Sequence, residues 1–337
     1  MPALTSVITI LICFYIVGYP RKLTATEEAD WVFEGTAAWA PRDSQAEWSF
    51  RDQMWIGGGW FNSYEAPPRD TWSSANGKDW ILVEAQAPWQ HSDLPMNLVF
   101  EDKMWIMGGW YNGRLPGHSA GNQVWTSNDG KAWALITDRA DWSPRCAGVG
   151  FEFRHRMWIA GGTESYYFGD NNSLKNDVWS STDGKSWELV CDNAAWRSRA
   201  YHQVVVLGDR IYLLGGGNYV PEHFALNDVW SSTDGKEWSL ETSSAAWPPR
   251  IWFSAVTYRN RIWVLGGWSK ENGNFGDVWH SSNGRRWQQL MTANRWKPRH
   301  EHSAFVFNDK IWVVGGHADP LSNEVWSLWM PDEWSPE

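Results

Sequence analysis

The strongest constraint on this chain is a stretch that it repeats against itself. Residues 176–190 read Asn-Asp-Val-Trp-Ser-Ser-Thr-Asp-Gly-Lys-Ser-Trp-Glu-Leu-Val; residues 227–240 repeat them almost verbatim, and weaker copies run over 70–83, 123–135 and 277–290. Each copy reads as two short apolar strands around an Asn-Gly or Asp-Gly turn, a dipeptide that tolerates positive φ and twists with its flanking strands. Trp179 and Trp187 lie eight residues apart, and Trp72/Trp80, Trp125/Trp133, Trp230/Trp238 and Trp279/Trp287 keep that interval. One hairpin cannot bury such aromatics alone, so the copies must pack on one another.

Two further units share the phase. An apolar strand ending in Gly-Gly precedes each copy, as in Met54-Trp-Ile-Gly-Gly-Gly59, Met157-Trp-Ile-Ala-Gly-Gly162 and Ile311-Trp-Val-Val-Gly-Gly316. The aromatic second residues of these strands (55, 105, 158, 212, 263 and 312) are 50, 53, 54, 51 and 49 apart. Each repeat opens on Trp-x-Pro-Arg: Trp39 to Arg42, Trp142 to Arg145, Trp196 to Arg199 (with Ser for Pro), Trp247 to Arg250 and Trp296 to Arg299. The second repeat departs from it with Trp89-Gln-His-Ser92. A period near 50 with four strands per unit is what a propeller blade requires. The expected fold is therefore all-β: a six-bladed β-propeller of four-stranded antiparallel blades, with strands a to d in chain order. The sixth repeat has strand c at Glu324 to Leu328 but no strand d after it. Asp30-Trp-Val-Phe-Glu34 runs into Trp39 as Trp187 to Val190 runs into Trp196, so this N-terminal strand is expected to close the ring.

The 30 Trp fit an aromatic core between thin sheets. Net charge is -10 and no Lys/Arg run occurs, which argues against a nucleic-acid partner. Cys146 and Cys191 follow no metal or redox spacing and fall on different strands, so a disulfide is not expected. Residues 1–26 hold an apolar run, Val7 to Val17, of the length of an export-signal core. They read as a signal peptide or an uncleaved membrane anchor, with a mis-assigned start as a further alternative. That implies a secreted, periplasmic or cell-surface protein whose propeller spans 27–330, followed by a tail at 331–337.

The Gly-Gly doublet, the aromatic of Asp-Val-Trp and the later Trp resemble the kelch repeat over residues 30–328. Trp stands where kelch usually has Tyr, and the longer Ser-Thr-Asp-Gly turn resembles the Asp-box of sialidases. The resemblance implies the fold. It leaves function open, because kelch propellers include binding scaffolds, a copper oxidase and a sugar mutarotase.

In such a blade the a–b and c–d turns emerge on one face and the b–c and d–a connections on the other. The second set is long and differs from blade to blade, with Trp60, Phe61 and Tyr64, then Trp110, Tyr111, Arg114 and His118, then Glu164, Tyr166, Tyr167, Phe168 and Asp170, then Tyr219, Glu222, His223 and Phe224. Variable loops on a rigid scaffold are where binding concentrates. Arg42, Arg145, Arg199, Arg250 and Arg299 would ring the channel mouth as forks for carboxylates. An arginine recurring in every blade has a structural reading too, bonded to loop carbonyls or to a neighbouring blade's Asp. Two residues past the arginine stand Tyr201, Trp252 and Glu301, and His202 and His302 come next.

The expectation is a binding module for a protein or glycan, with Arg42, Arg145, Arg199, Arg250, Arg299, Trp60, Trp110, Tyr166, Tyr201 and Trp252 as contacts. The alternative is an enzyme on an acidic sugar. Bacterial sialate mutarotases are similar in being exported six-bladed kelch propellers, and such an enzyme needs an acid/base pair and a carboxylate clamp. Glu301, His302, Glu222 and Glu164 are its acid/base candidates. His300, His302 and His317 follow no ligand spacing, so neither metal nor cofactor is expected. No nucleophile elbow, P-loop or HExxH occurs.

Overall fold

The structure is a computed structural model that describes residues 28–61, 67–111, 120–166 and 171–334. The expected signal or anchor at 1–26 lies outside the described residues, as do Tyr64, Arg114, His118, Tyr167, Phe168 and Asp170.

Six four-stranded antiparallel sheets follow the repeats. Blade 1 runs Ala46–Phe50, Gln53–Gly57, Thr71–Ser74 and Ile81–Glu84. Blade 3 has the same order in Val149–Phe153, Arg156–Ala160, Val178–Ser181 and Glu188–Cys191. In blade 6, Ser303–Phe307, Lys310–Val314 and Glu324–Trp329 are joined by Asp30–Thr36, which pairs antiparallel with the last of them. The ring closes with strands from both ends of the chain, so no blade is left short of its outer strand. The first strand of each blade packs on the first strand of the next around the full circle. The segment expected as a tail folds back in part: Trp334 lies 5.5 Å from the Trp263 ring, and the Pro331 carbonyl accepts from Arg259 at 2.6 Å.

Four tryptophan positions per blade account for most of the indoles, and three of them have a fixed N–H acceptor. The strand-b indole donates to the carbonyl that ends strand a, as Trp158 does to Phe153 at 2.8 Å. The strand-c indole donates to the acidic or amide side chain two residues before it, as Trp179 does to Asp177 at 2.8 Å. The Trp that opens strand d donates to the turn glycine, as Trp187 does to Gly184 at 3.0 Å. The fourth, from Trp-x-Pro-Arg, meets the strand-d Trp edge to face in all six blades, at 5.7 to 6.1 Å and 83 to 89°. Its buried N–H has no lone-pair acceptor among the described residues and rests among aromatic rings, which accept weakly.

The c–d turn is long, as the Ser-Thr-Asp-Gly stretch suggests. In blade 3 it separates Ser181 from Glu188, and Asp183 Oδ1 accepts the amides of Lys185 and Ser186 at 2.8 and 2.9 Å. The extra length lets the turn reach the neighbouring blade. Gly184, at φ 71°, lies so close to Trp105 that a Cβ would stand 2.3 Å from its ring. Gly130 abuts Trp55 and Gly77 abuts Trp312 in the same way, so each turn is keyed onto the strand-b aromatic of the preceding blade.

Candidate functional site

The five arginines do not face the channel. Arg145 is 1 % exposed; its guanidinium binds Asp177 through both nitrogens at 2.6 and 2.8 Å and donates to the Gly161 carbonyl at 3.1 Å. Arg42 with Asp70, Arg199 with Asp228, and Arg250 with Asp277 repeat this, each also reaching the first glycine of its own Gly-Gly. Arg299 uses Glu324 and Gly315. The expected ring of carboxylate forks is therefore an internal clamp, tying the entry of strand a to the end of strand b and the start of strand c. The structural alternative holds for the loop carbonyls, to which each arginine donates, but the carboxylate partner lies in the same blade and not in the neighbouring one. Blade 2 lacks both halves: Ser92 replaces the arginine and Gln123 the aspartate, and Ser92 Oγ donates instead to the Pro68 carbonyl at 2.7 Å.

Two residues beyond each clamp the chain takes a left-handed turn. Ser44, Leu94, Ala147, Tyr201, Trp252 and Glu301 all have φ between 50 and 59°. Each donates its amide to the carbonyl of its counterpart in the preceding blade: Leu94 to Ser44, Ala147 to Leu94, Tyr201 to Ala147, Trp252 to Tyr201 and Glu301 to Trp252, at 2.8 to 3.3 Å. Ser44 then donates to Glu301 at 3.0 Å and completes a six-link circle of backbone hydrogen bonds around the axis. L-residues held at these angles carry some strain, and the circle is what fixes them there.

This hub separates two cavities. Below it lies the central channel, about 340 Å³, reached by Glu47, Tyr201, His202 and His302. Burial pushes the Glu47 carboxyl up to about 7. Above it opens a mouth of about 250 Å³, lined by Asp43, Ser44, Asp93, Glu301, His300 and His317 and by the rings of Trp60, Tyr166, Tyr219, Trp252 and Trp268. The rings form a continuous arc. Tyr166 lies 6.1 Å from Tyr219, Tyr219 4.7 Å from Trp252, Trp252 5.4 Å from Trp268, and His300 stacks on Trp252 at 5.1 Å and 20°.

Glu301 faces both cavities with a side chain 8 % exposed. Burial, and then the charges of Asp43 and Asp93, hold its carboxyl well above the usual carboxylate range. A hydrogen bond with Asp43 favours the protonated form and one with Ser44 opposes it, while its Oε1 has no partner among the described residues. His300 approaches at 4.0 Å, but burial and then His317 push its pKa down to about 3, so the contact is not an ion pair at neutral pH.

The expected contacts divide accordingly. Trp60, Tyr166 and Trp252 line the mouth, and Tyr201 lies beneath it in the channel. Trp110 is buried behind Tyr166, ring to ring at 6.3 Å. Of the acid/base candidates only Glu301 lines the mouth. His302 is a buried wedge 5.5 Å from the Trp296 ring, with its pKa pushed down to about 3 by burial and then Arg299. Glu222 is exposed outside the lining. For Glu164, burial alone would raise the carboxyl, but Lys175 at 2.7 Å and Ser143 bring it below its ordinary value. Sequence reading missed Asp43 and Asp93, and it placed Tyr219 and Trp268 on the variable-loop face without singling them out as contacts. The available clue was position: residues 43, 93, 146, 200, 251 and 300 follow the clamp and read Asp, Asp, Cys, Ala, Ile and His where their surroundings repeat. Cys146 and Cys191 are free.

Comparison with known proteins fits this frame. The KLHDC2/KLHL20/DRC7 Kelch-repeats domain family matches residues 201–335. That match spans the last blades of a six-bladed β-propeller. Kelch domain-containing protein 10 of Homo sapiens is 29% identical over 166 residues, 46% of this chain and 36% of that protein. The flagellar outer-arm dynein alpha chain of Chlamydomonas reinhardtii is 35% identical over 100 residues, 28% of this chain and 2% of the dynein. The kelch segment thus matches well under half the length of these curated relatives. A solved structure of YjhT superposes with a TM-score of 0.67 at 13% identity, over 87% of this chain and 95% of that one, which is a likeness of fold.

Proposed function

We propose that this kelch propeller is a protein-binding module and that the mouth above the hub is its contact surface. The observation that carries the reading is convergence. The blades repeat indoles and turn, and all but the second repeat the clamp, yet no two blades carry the same pair of residues at the two positions after it, and several of these residues meet in one aromatic-walled pit with Trp60, Tyr219 and Trp268. Rigid aromatic side chains around a few polar groups are what interface anchors require. The alternative of an enzyme on acidic sugars is less well supported. Its clamp residues are engaged with this chain's own carboxylates, and the mouth is edged by Asp43, Asp93 and Glu301, which disfavour an anionic sugar.

The test is selection of peptides from a random display library on the full chain, followed by affinity measurement against Trp60→Ala and Trp252→Ala. Loss of about thirtyfold or more in affinity, roughly 2 kcal/mol, with retained thermal unfolding, is expected of anchor positions. Unchanged affinity in both variants would place the contact surface elsewhere.

A further inference from the structure

Resting on that reading of the mouth, we infer that its ligand group is an organic cation, the guanidinium or ammonium head of an arginine or lysine side chain. Three carboxyl groups, Asp43, Asp93 and Glu301, line one side of the mouth, and the opposite side is the arc of Tyr166, Tyr219, Trp252 and Trp268. No lysine or arginine is among its described lining residues. Aromatic faces carry negative quadrupole potential, so both sides of the pit favour positive charge, and the desolvated setting strengthens the preference.

One buried acceptor at the site lacks a partner: Glu301 Oε1, on a side chain 8 % exposed, has no hydrogen-bond partner among the described residues. An acceptor without a donor, beside aromatic faces, is what a guanidinium or ammonium N–H would complete. Among the described residues no three His, Cys, Asp or Glu side chains are grouped so that they could hold a metal ion. A volume of about 250 Å³ accepts one side-chain head with part of its stem.

Arginine and citrulline share shape and hydrogen-bonding length and differ in charge, so the pair isolates the claim. The probes are arginine amide and blocked Gly-Gly-Arg-Gly-Gly, each with its citrulline counterpart, and blocked Gly-Gly-Glu-Gly-Gly, titrated into the full chain by calorimetry. Each arginine probe is expected to bind about tenfold or more tightly than its citrulline partner. Glu301→Gln and Asp93→Asn are each expected to narrow that ratio. If arginine amide binds as well as the peptide, the site takes free cations; if only the peptide binds, it takes a side chain of a protein. Equal binding of arginine and citrulline, or preferential binding of the glutamate peptide, would overturn the inference. Library peptides that lose binding in Trp60→Ala yet lack Lys and Arg would overturn it too, and would leave the mouth as the contact surface.

Discussion

Trp31 meets Trp296 edge to face at 5.8 Å and 83°, a contact between the first described strand and the start of the last blade. It is the same pairing that Trp39 makes with Trp80 inside blade 1, except that here the two indoles come from opposite ends of the chain. The N-terminal strand therefore takes the place of a strand d in both pairing and indole contact.

The ring closure can be tested at that contact. Trp31→Ala removes a buried indole and exposes its partner, at a cost of about 3–5 kcal/mol. Trp31→Phe should retain much of the stability. Urea unfolding of both variants measures the difference.

The clamp arginines should matter for stability and not for the ligand. Arg250→Ala removes the guanidinium from Asp277 and the Gly266 carbonyl and leaves the Asp277 charge to the Trp279 indole alone among side chains, a loss of about 3–5 kcal/mol for a broken buried pair. Arginine-amide affinity, measured well below the lowered melting temperature, should equal that of the parent. A loss of affinity with unchanged stability would return Arg250 to the ligand site.

Acid should unfold the hub through its histidines. His202, His300 and His302 are pushed down to about 3 by burial, from an ordinary 6.5. The unfolded chain takes up those protons first, so the stability is fully present above pH 6.5 and is lost as pH falls toward 3. Replacing His302 with Asn should flatten the slope of melting temperature against pH over that window.

Glu301 works in the opposite sense. Its carboxyl sits above the unfolded value of 4.5, facing Asp43, Asp93, neutral His300 and the thiol of Cys146. The folded chain holds the proton where the unfolded chain has released it, so this contribution is present below pH 4.5 and is lost as pH rises toward the folded value. Glu301→Gln should gain stability relative to the parent across that rise. A bound cation should also expel the proton, which would make the heat of arginine-amide binding depend on the ionisation enthalpy of the buffer.

Much of the architecture is legible in the residues. The Gly-Gly strands, the eight-residue Trp interval and the orphan strand at Asp30 give six blades and their closure, because each repeat copies its neighbour's core. The arginines were harder to place. Their carboxylate partners lie some 25 to 32 residues downstream, within a motif whose tryptophan draws the eye, and a guanidinium suits an outside carboxylate as well as an inside one. The pairing was nevertheless visible in blade 2, where Arg gives way to Ser92 and the same blade's Asp to Gln123. Asp43 and Asp93 could not be placed at a mouth from sequence alone. Their proximity to Glu301 comes from the curvature of the ring and not from any spacing along the chain.

The six-link circle separates support from display. Each hub position is fastened to its neighbours by its own amide and carbonyl, groups that every residue type other than proline carries. Serine, leucine, alanine, tyrosine, tryptophan and glutamate all occupy equivalent mounts in this one molecule. Residues could thus be exchanged between mounts to recompose the presented surface, from acidic to apolar or aromatic, while the frame beneath keeps its shape.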